Sequence, residues 1–251
     1  MVRGYFAYLL LGHILGDFYL QTQVVSDRKE KSLKWVILHG AAYLGAYVIA
    51  ALPIFSIEVA LVGMVASIAH FSVDMIKYGY SLKISNGRNT NILERNIFFA
   101  DQTLHAVSLM IIAYAATLYC TPITSPGLIT GFLEVVGMTG EAASSWIIAV
   151  LLIHKPVNIA IQKLLMVYKP ISSDVTRIND NNAGRFIGTV ERLIMLILIS
   201  NGQYSAIGLV LTAKSIARYD KIAKEPEFAE YYLLGTLLST LCVIIASTIL
   251  R

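Results

Sequence analysis

Residues 4–20 read GYFAYLLLGHILGDFYL, an apolar run interrupted by one histidine, His13, and one aspartate, Asp17. A helix of about 20 apolar residues crosses the hydrocarbon core of a bilayer. Similar runs recur to the end of the chain, and only 14% of its 251 residues are charged. A soluble domain of this size needs more charged residues to cover its surface. The sequence therefore predicts an all-α, polytopic membrane protein.

About eight hydrophobic helices are predicted, and two of them are short. Only Asn201, Gly202 and Gln203 separate the two short helices, which are therefore expected to form a hairpin, because this composition is typical of a turn. The predicted helices cover residues 4–20, 35–52, 54–76, 97–120, 146–168, 186–200, 204–217 and 231–250.

The lysines and arginines predict the orientation of these helices. Each odd-numbered helix is followed, in its last turns or in the next connection, by four basic residues, whereas the connections after helices two, four and six hold none. The positive-inside rule then puts both the N-terminus and the C-terminus outside. The net charge of +4 comes from residues beside the membrane, so it indicates contact with anionic lipid and no nucleic-acid partner.

Histidine and aspartate recur inside the predicted helices with a spacing of four residues. The pairs are His-Ile-Leu-Gly-Asp at 13–17, His-Phe-Ser-Val-Asp at 70–74 and Asp-Gln-Thr-Leu-His at 101–105. Two residues four apart on an α-helix share one face, about 6 Å apart along the axis. Because the helices alternate in direction, the predicted orientation brings the pairs, with a further histidine, into the cytoplasmic half of the bilayer. The predicted metal ligands are His13, Asp17, His39, His70, Asp74, Asp101 and His105.

Ionisable groups at this depth need a compensating interaction, since a central aspartate costs about 2.5–3.5 kcal/mol on the insertion scale. Four imidazoles and three carboxylates suit two divalent ions bridged by an aspartate, with zinc, manganese and iron all possible. Gln21, Tyr43 and Gln102 are expected to support the ligands. Two other interpretations stay open: a pathway for protons or cations, and hydrogen bonds that only hold the helices together.

A single transmembrane domain is expected over residues 1–251, with the metal ligands in the half 1–120 and a second polar group in the half 143–251. The second group is expected to lie mostly toward the cytoplasmic side. Arginine and lysine there suit an anionic substrate, although charge pairing and contact with the membrane interface explain them as well. The predicted substrate-binding residues are Arg185, Arg192, Lys214 and Arg218, and the candidates for catalysis beside a metal-activated water are Lys155 and Glu191.

Six segments together resemble the bacterial family catalogued as domain of unknown function 3307. This resemblance implies a bacterial inner-membrane protein and brings no established activity. The histidine and aspartate pattern is also distantly similar to proteins labelled membrane-bound metal-dependent hydrolases. The segments are HILGDFYLQT, HFSVDMIK, FFADQTLH, GRFIGTVERL, LTAKSIARY and YYLLGT.

The leading hypothesis is a hydrolase with two metal ions that acts on a phosphorylated, lipid-like substrate at the cytoplasmic leaflet. A transporter of protons or divalent metal ions is the alternative, and a membrane di-iron oxidase is a third. A transporter also needs a polar route on the outer side of the cluster, where Glu58 is the exception among largely apolar residues and tyrosines. A pocket open only to the cytoplasm is therefore favoured.

Overall fold

The computed structural model describes residues 2–84, 91–169 and 183–250, and no strand occurs within these ranges. The chain divides into two compact units, Met1–Ile148 and Ala149–Arg251. Arg88 and Arg177 are among the basic residues counted after the third and fifth predicted helices, and both lie outside the described ranges.

The described helices follow one another in this order along the chain. They are α1 (Val2–His13), a π-helical segment (Ile14–Leu20), α2 (Gln23–Lys29), α3 (Leu33–Ala51), a 3₁₀ turn (Leu52–Ile54), α4 (Ile57–Ile84), α5 (Asn91–Tyr119), α6 (Gly127–Val136), α7 (Gly140–Leu165), α8 (Ala183–Ser200), α9 (Tyr204–Ile216), α10 (Tyr219–Lys224), α11 (Pro226–Ser247) and a 3₁₀ turn (Thr248–Leu250).

The all-α, membrane-embedded class is confirmed, and each of the eight predicted helices is present. Within the described residues, five stretches are long and apolar enough to cross a membrane: Leu33–Ile54, Ile57–Lys83, Asn91–Tyr119, Gly140–Leu165 and Pro226–Leu250. The predicted hairpin is α8 and α9, joined by a tight turn in which Gly202 has a φ of 70°. The orientation of the helices stays a prediction.

Three short helices were not predicted, because each lies in what the hydropathy pattern shows as a connection. Helix α2 follows the first hydrophobic segment, and its N-cap residue Thr22 accepts a hydrogen bond from the Val25 amide. Helix α6 lies between α5 and α7 and ends at Gly137, whose φ of 75° suits glycine. Helix α10 separates α9 from α11.

Close approach of α1 to α3 organises the first unit. A Cβ atom at Gly12 would overlap the ring of Tyr47, and one at Gly16 would overlap the ring of Tyr43. The two glycines are four residues apart and share a helix face, a small-residue spacing that lets membrane helices pack closely. Both tyrosines are thereby fully buried against α1, at 1% exposure or less.

In the second unit, α8 packs along α11. The buried core of the second unit contains Ile153 of α7, Met195 and Leu196 of α8, and Val243 of α11, all at most 1% exposed. Helix α7 carries Pro156 in its interior, where proline removes one backbone hydrogen bond of the helix.

Candidate metal centre

The structure brings all seven predicted ligands together inside the first unit. None of them is more than 6% exposed. They come from four neighbouring segments: α1 with its π-helical continuation, α3, α4 and α5. Buried charged and polar side chains of this kind need partners or an ion. The residues are His13, Asp17, His39, His70, Asp74, Asp101 and His105.

Four ligand atoms form the tightest group, which we call the quartet: Nε2 of His39, Nε2 of His70, Oδ1 of Asp17 and Oδ2 of Asp74. His39 Nε2 lies 3.0 Å from Asp17, 3.1 Å from His70 Nε2 and 3.4 Å from Asp74. His70 Nε2 lies 3.4 Å from each of the two carboxylate oxygens. Metal bonds of about 2.0–2.1 Å put the ligand atoms of a regular tetrahedron about 3.3–3.4 Å apart. Five of the six distances within the quartet, all except the one between the two carboxylate oxygens, are therefore close to the spacing of a tetrahedral zinc-type site.

The π-helical segment Ile14–Leu20 carries Asp17 into the quartet. A π-helix has more residues per turn than an α-helix, so it turns the side chains after His13 away from their α-helical directions. As a result Asp17 contacts His39 on α3 at 3.0 Å, whereas its partner four residues earlier, His13, is 4.0 Å away. The residues selected by the four-residue spacing do lie together, but the closest contacts of Asp17 join different helices.

A second group of possible ligands adjoins the quartet. One ligand atom each from Asp74, Asp101 and His105 lie within 4.8 Å of one another. His105 Nε2 and Asp101 Oδ1 are 3.5 Å apart, and both atoms are buried with no hydrogen-bond partner among the described residues. Because buried polar atoms normally have a partner, this pair has unmet bonding capacity and could hold an ion.

Ring stacking and two polar side chains fix the orientation of the imidazoles. The His70 ring lies between Tyr43, at a centroid distance of 3.6 Å and an angle of 9°, and His105, at 4.1 Å and 23°. Tyr43 Oη lies 3.0 Å from His13 Nδ1. Gln102 donates to Asp17 at 3.0 Å, and its oxygen lies 3.4 Å from His13 Nε2. Tyr43 and Gln102 thus contact the ligands as the sequence suggested.

Gln21 is the third residue predicted to support the ligands, and no hydrogen bond joins it to the seven clustered side chains among the described contacts. Its side-chain oxygen is buried and has no hydrogen-bond partner among the described residues.

Two lysines in the cluster were missed by the sequence analysis. Lys29, the last residue of α2, is only 6% exposed, and its Nζ lies 3.2 Å from both carboxylate oxygens of Asp74. Lys77 Nζ lies 3.1 Å from Oδ2 of Asp101. Lys77 follows Asp74 by three residues on α4, a signal that the sequence did contain. Lys29 reaches the site only because α2 folds back, which no local pattern indicates.

These lysines define the charge of the cluster. If the imidazoles are counted as neutral, the three carboxylates and the two ammonium groups give the cluster a net charge of −1. Asp74 and Asp101 are each paired with a lysine, whereas Asp17 contacts His39 and Gln102. An excess negative charge in a buried site favours a bound cation.

The other end of the first unit is closed by its core. Tyr5, Tyr8 and Tyr47 are each at most 4% exposed and form one cluster with apolar side chains of α1, α3, α4 and α5. Glu58, near the start of α4, accepts hydrogen bonds from the amide and the hydroxyl of Thr121, at 2.6 and 2.7 Å. Glu58 therefore holds the connection after α5.

In the second unit, Arg192 is 2% exposed and is held by protein acceptors. Its guanidinium donates to the Ile153 carbonyl at 2.9 Å and to Asn158 at 2.7 Å, with longer bonds to Thr189 and Ser239. These contacts link α7, α8 and α11. The substrate-binding role of Arg192 stays a prediction, and its donors already serve the packing of the unit.

The other predicted residues of this unit lie at or near a large cavity. Lys214 donates to Glu191 at 2.7 Å, which is one of the charge pairings that the sequence suggested. Arg185 is exposed, and two of its guanidinium nitrogens lie 2.7 and 3.0 Å from the side-chain oxygen of Gln162 when that amide is oriented toward them. Arg218 is also exposed. All of these residues border the cavity.

Lys155, in α7, is partly buried. The structure leaves its proposed catalytic role, like that of Glu191, as a prediction.

Comparison with known proteins supports the resemblance and gives no activity. Residues 5–126 match the family described as "Protein of unknown function (DUF3307)". The matched segment covers just under half of the chain and contains all seven clustered ligands, whereas the resembling motifs GRFIGTVERL, LTAKSIARY and YYLLGT lie outside it. No curated protein and no solved structure matches the chain.

Proposed function

We propose that this protein is a metal-dependent hydrolase of the bacterial inner membrane that acts on an anionic, phosphorylated lipid at the cytoplasmic leaflet. The observation that carries the proposal is the quartet, because each of its two imidazole nitrogens lies 3.0–3.4 Å from the other nitrogen and from one oxygen of each carboxylate. A divalent ion there would supply Lewis acidity and an activated water at neutral pH. Zinc, manganese and iron all suit these nitrogen and oxygen ligands.

The protein's own residues would prepare the site before any ion binds. Tyr43 and Gln102 hold the rings and the carboxylate in place, so little rearrangement is needed. Asp101 and His105, with their unpartnered atoms, are the natural position for a second ion, and Asp74 lies within reach of both positions. Lys29 and Lys77 keep the unfilled cluster close to neutral.

The closed end of the first unit supports a hydrolase over a transporter. A transport route needs polar groups on both sides of its central site. Beyond the cluster, the helices pack through buried tyrosines and small apolar residues, and Glu58 is already bonded to Thr121. The di-iron oxidase remains an alternative, because iron uses the same ligand types.

Arg185, Lys214 and Arg218 are proposed to attract the anionic group of the substrate. Their guanidinium and ammonium groups suit phosphate oxygens.

The test is hydrolysis of phosphorylated lipids by the purified protein in detergent, measured as release of inorganic phosphate. Activity is expected to require zinc, manganese or iron and to be lost in Asp17→Asn, while His154→Ala, which changes a histidine outside the cluster, keeps it. Proton or metal flux in sealed liposomes without any phosphate release would refute the hydrolase and support the transporter.

A further inference from the structure

The second unit contains a cavity of about 2420 Å³, and three of the residues that line it each carry a buried polar atom without a partner. These atoms are Oε1 of Glu191 on α8 and the hydroxyls of Tyr232 and Thr236 on α11, all buried and without a hydrogen-bond partner among the described residues. Tyr232 and Thr236 are four residues apart on α11, so both present their side chains to the same side. The cavity is larger than the usual range of roughly 300–1,000 Å³ for small-molecule pockets.

Such atoms are expensive when nothing bonds to them. A buried polar group without a partner loses about 1–3 kcal/mol relative to its hydrated state. Three such atoms on residues that line one cavity are a reason to expect a polar ligand there. Lys214 organises the group, because its Nζ lies 2.7 Å from Oε2 of Glu191 and 5.5 Å from the centre of the Tyr232 ring.

The bonding capacity of these atoms defines the ligand. An ionised carboxylate only accepts hydrogen bonds, so Oε1 of Glu191 needs a donor such as a hydroxyl group. Tyr232 and Thr236 can donate to an oxygen of the ligand or accept from it. Six basic side chains, including the exposed Arg185 and Arg218, and four acidic ones line the cavity, so its lining has a net positive charge. The ligand that fits is therefore anionic and carries hydroxyl groups.

The walls of the cavity point to a lipid. Leu165, Phe186 and Ile194 border the same space as the polar atoms, so an acyl chain and a polar headgroup both have a place. We infer that this cavity binds an anionic membrane lipid whose headgroup is a polyol phosphate. In naming the headgroup, the inference rests on the proposed function, but the binding itself does not require the metal ions.

The experiment is native mass spectrometry of the intact, delipidated protein in detergent, titrated with phosphatidylglycerol and with phosphatidic acid. Both lipids are anionic, and only phosphatidylglycerol has a glycerol headgroup with free hydroxyls. We expect phosphatidylglycerol to bind about three- to tenfold more tightly, as one or two extra hydrogen bonds would give. Thr236→Val and Tyr232→Phe are each expected to reduce this preference by a similar factor, whereas Thr212→Val, an exposed threonine of α9, leaves it unchanged.

A melting curve separates lost binding from lost folding. Without lipid, Thr236→Val is expected to unfold at the same or a higher temperature than the wild type, because it removes an unpartnered hydroxyl. Equal binding of the two lipids, or an undiminished preference in both Thr236→Val and Tyr232→Phe, would overturn the inference. Metal analysis of the same samples keeps the two proposals apart: a metal-free protein that prefers phosphatidylglycerol contradicts only the hydrolase, and a metal-loaded protein without that preference contradicts only the lipid site.

Discussion

Removal of one member of the quartet tests the metal site directly. In His39→Ala the imidazole whose Nε2 lies 3.0–3.4 Å from Asp17, His70 and Asp74 is lost. Structural zinc sites with four protein ligands bind with about 10–16 kcal/mol, or about 2.5–4 kcal/mol for each ligand. The variant is therefore expected to bind zinc about 10²- to 10³-fold more weakly than the wild type.

The assay is elemental analysis of the detergent-purified protein, followed by titration with a zinc chelator of known affinity. Two ions per wild-type chain are expected, and His39→Ala is expected to lose at least one of them. His154→Ala serves as the matched control, because it removes a histidine of the second unit and should leave the metal content at the wild-type value. Circular dichroism and size-exclusion chromatography check that each variant is folded.

Asp17→Asn is a second variant of the quartet that is less disruptive than His39→Ala. It keeps the volume of the side chain and weakens its ability to bind a metal ion. If His39→Ala and Asp17→Asn are both folded and retain the wild-type zinc content and affinity, the quartet is not the metal site. A wild-type protein that binds no zinc, manganese or iron when purified with added metal would refute the reasoning altogether.

Three further predictions follow from the same geometry. His105→Ala should reduce the metal content from two ions per chain to one, measured by elemental analysis, because His105 lies outside the quartet. Lys29→Met should raise zinc affinity by at least about tenfold in the chelator titration, since the ammonium group competes with the ion for both oxygens of Asp74. Gly16→Ala should destabilise the protein by about 1–3 kcal/mol in thermal unfolding, through overpacking, whereas Gly45→Ala, with nothing within 4 Å of the new methyl group, should be neutral or stabilise by up to about 1 kcal/mol.

Each of these has an outcome that contradicts it. Loss of both ions in His105→Ala would mean that the two positions do not fill independently. Equal effects of Lys29→Met and of Lys34→Met, which changes an exposed lysine at the start of α3, would remove the argument for competition at the site. A melting temperature of Gly16→Ala equal to that of the wild type would show that the ring of Tyr43 moves aside easily.

The helices and the clustering of the seven histidine and aspartate side chains could be predicted because both depend on local patterns, whereas their role as metal ligands stays a prediction. Hydropathy over about 20 residues is sufficient to find a membrane helix. The spacing of four residues selected six of the seven ligands, and the predicted depth added His39. The family match covers residues 5–126, the part of the chain that contains all seven of these residues.

What the sequence missed depends on how segments fold onto one another. Lys29 was interpreted as a determinant of topology, because its place beside Asp74 requires α2 to fold back toward α4. The π-helical segment escaped detection because hydropathy does not distinguish it from an α-helix. Gly12 and Gly16 did carry a readable signal, the small-residue spacing of close-packed membrane helices. The four acceptors around Arg192 come from three helices and became visible only in the packed unit.

The pairing of Lys29 with Asp74 has a consequence for how the protein is made in the cell. A membrane protein whose acidic cluster depended on a metal ion for neutrality would have to receive that ion while its helices were assembling. Here two ammonium groups occupy part of the cluster from the start, so the helices can insert and pack first. If the cluster binds a metal ion as proposed, metal loading would be a late maturation step, in which the incoming ion displaces Lys29 from Asp74.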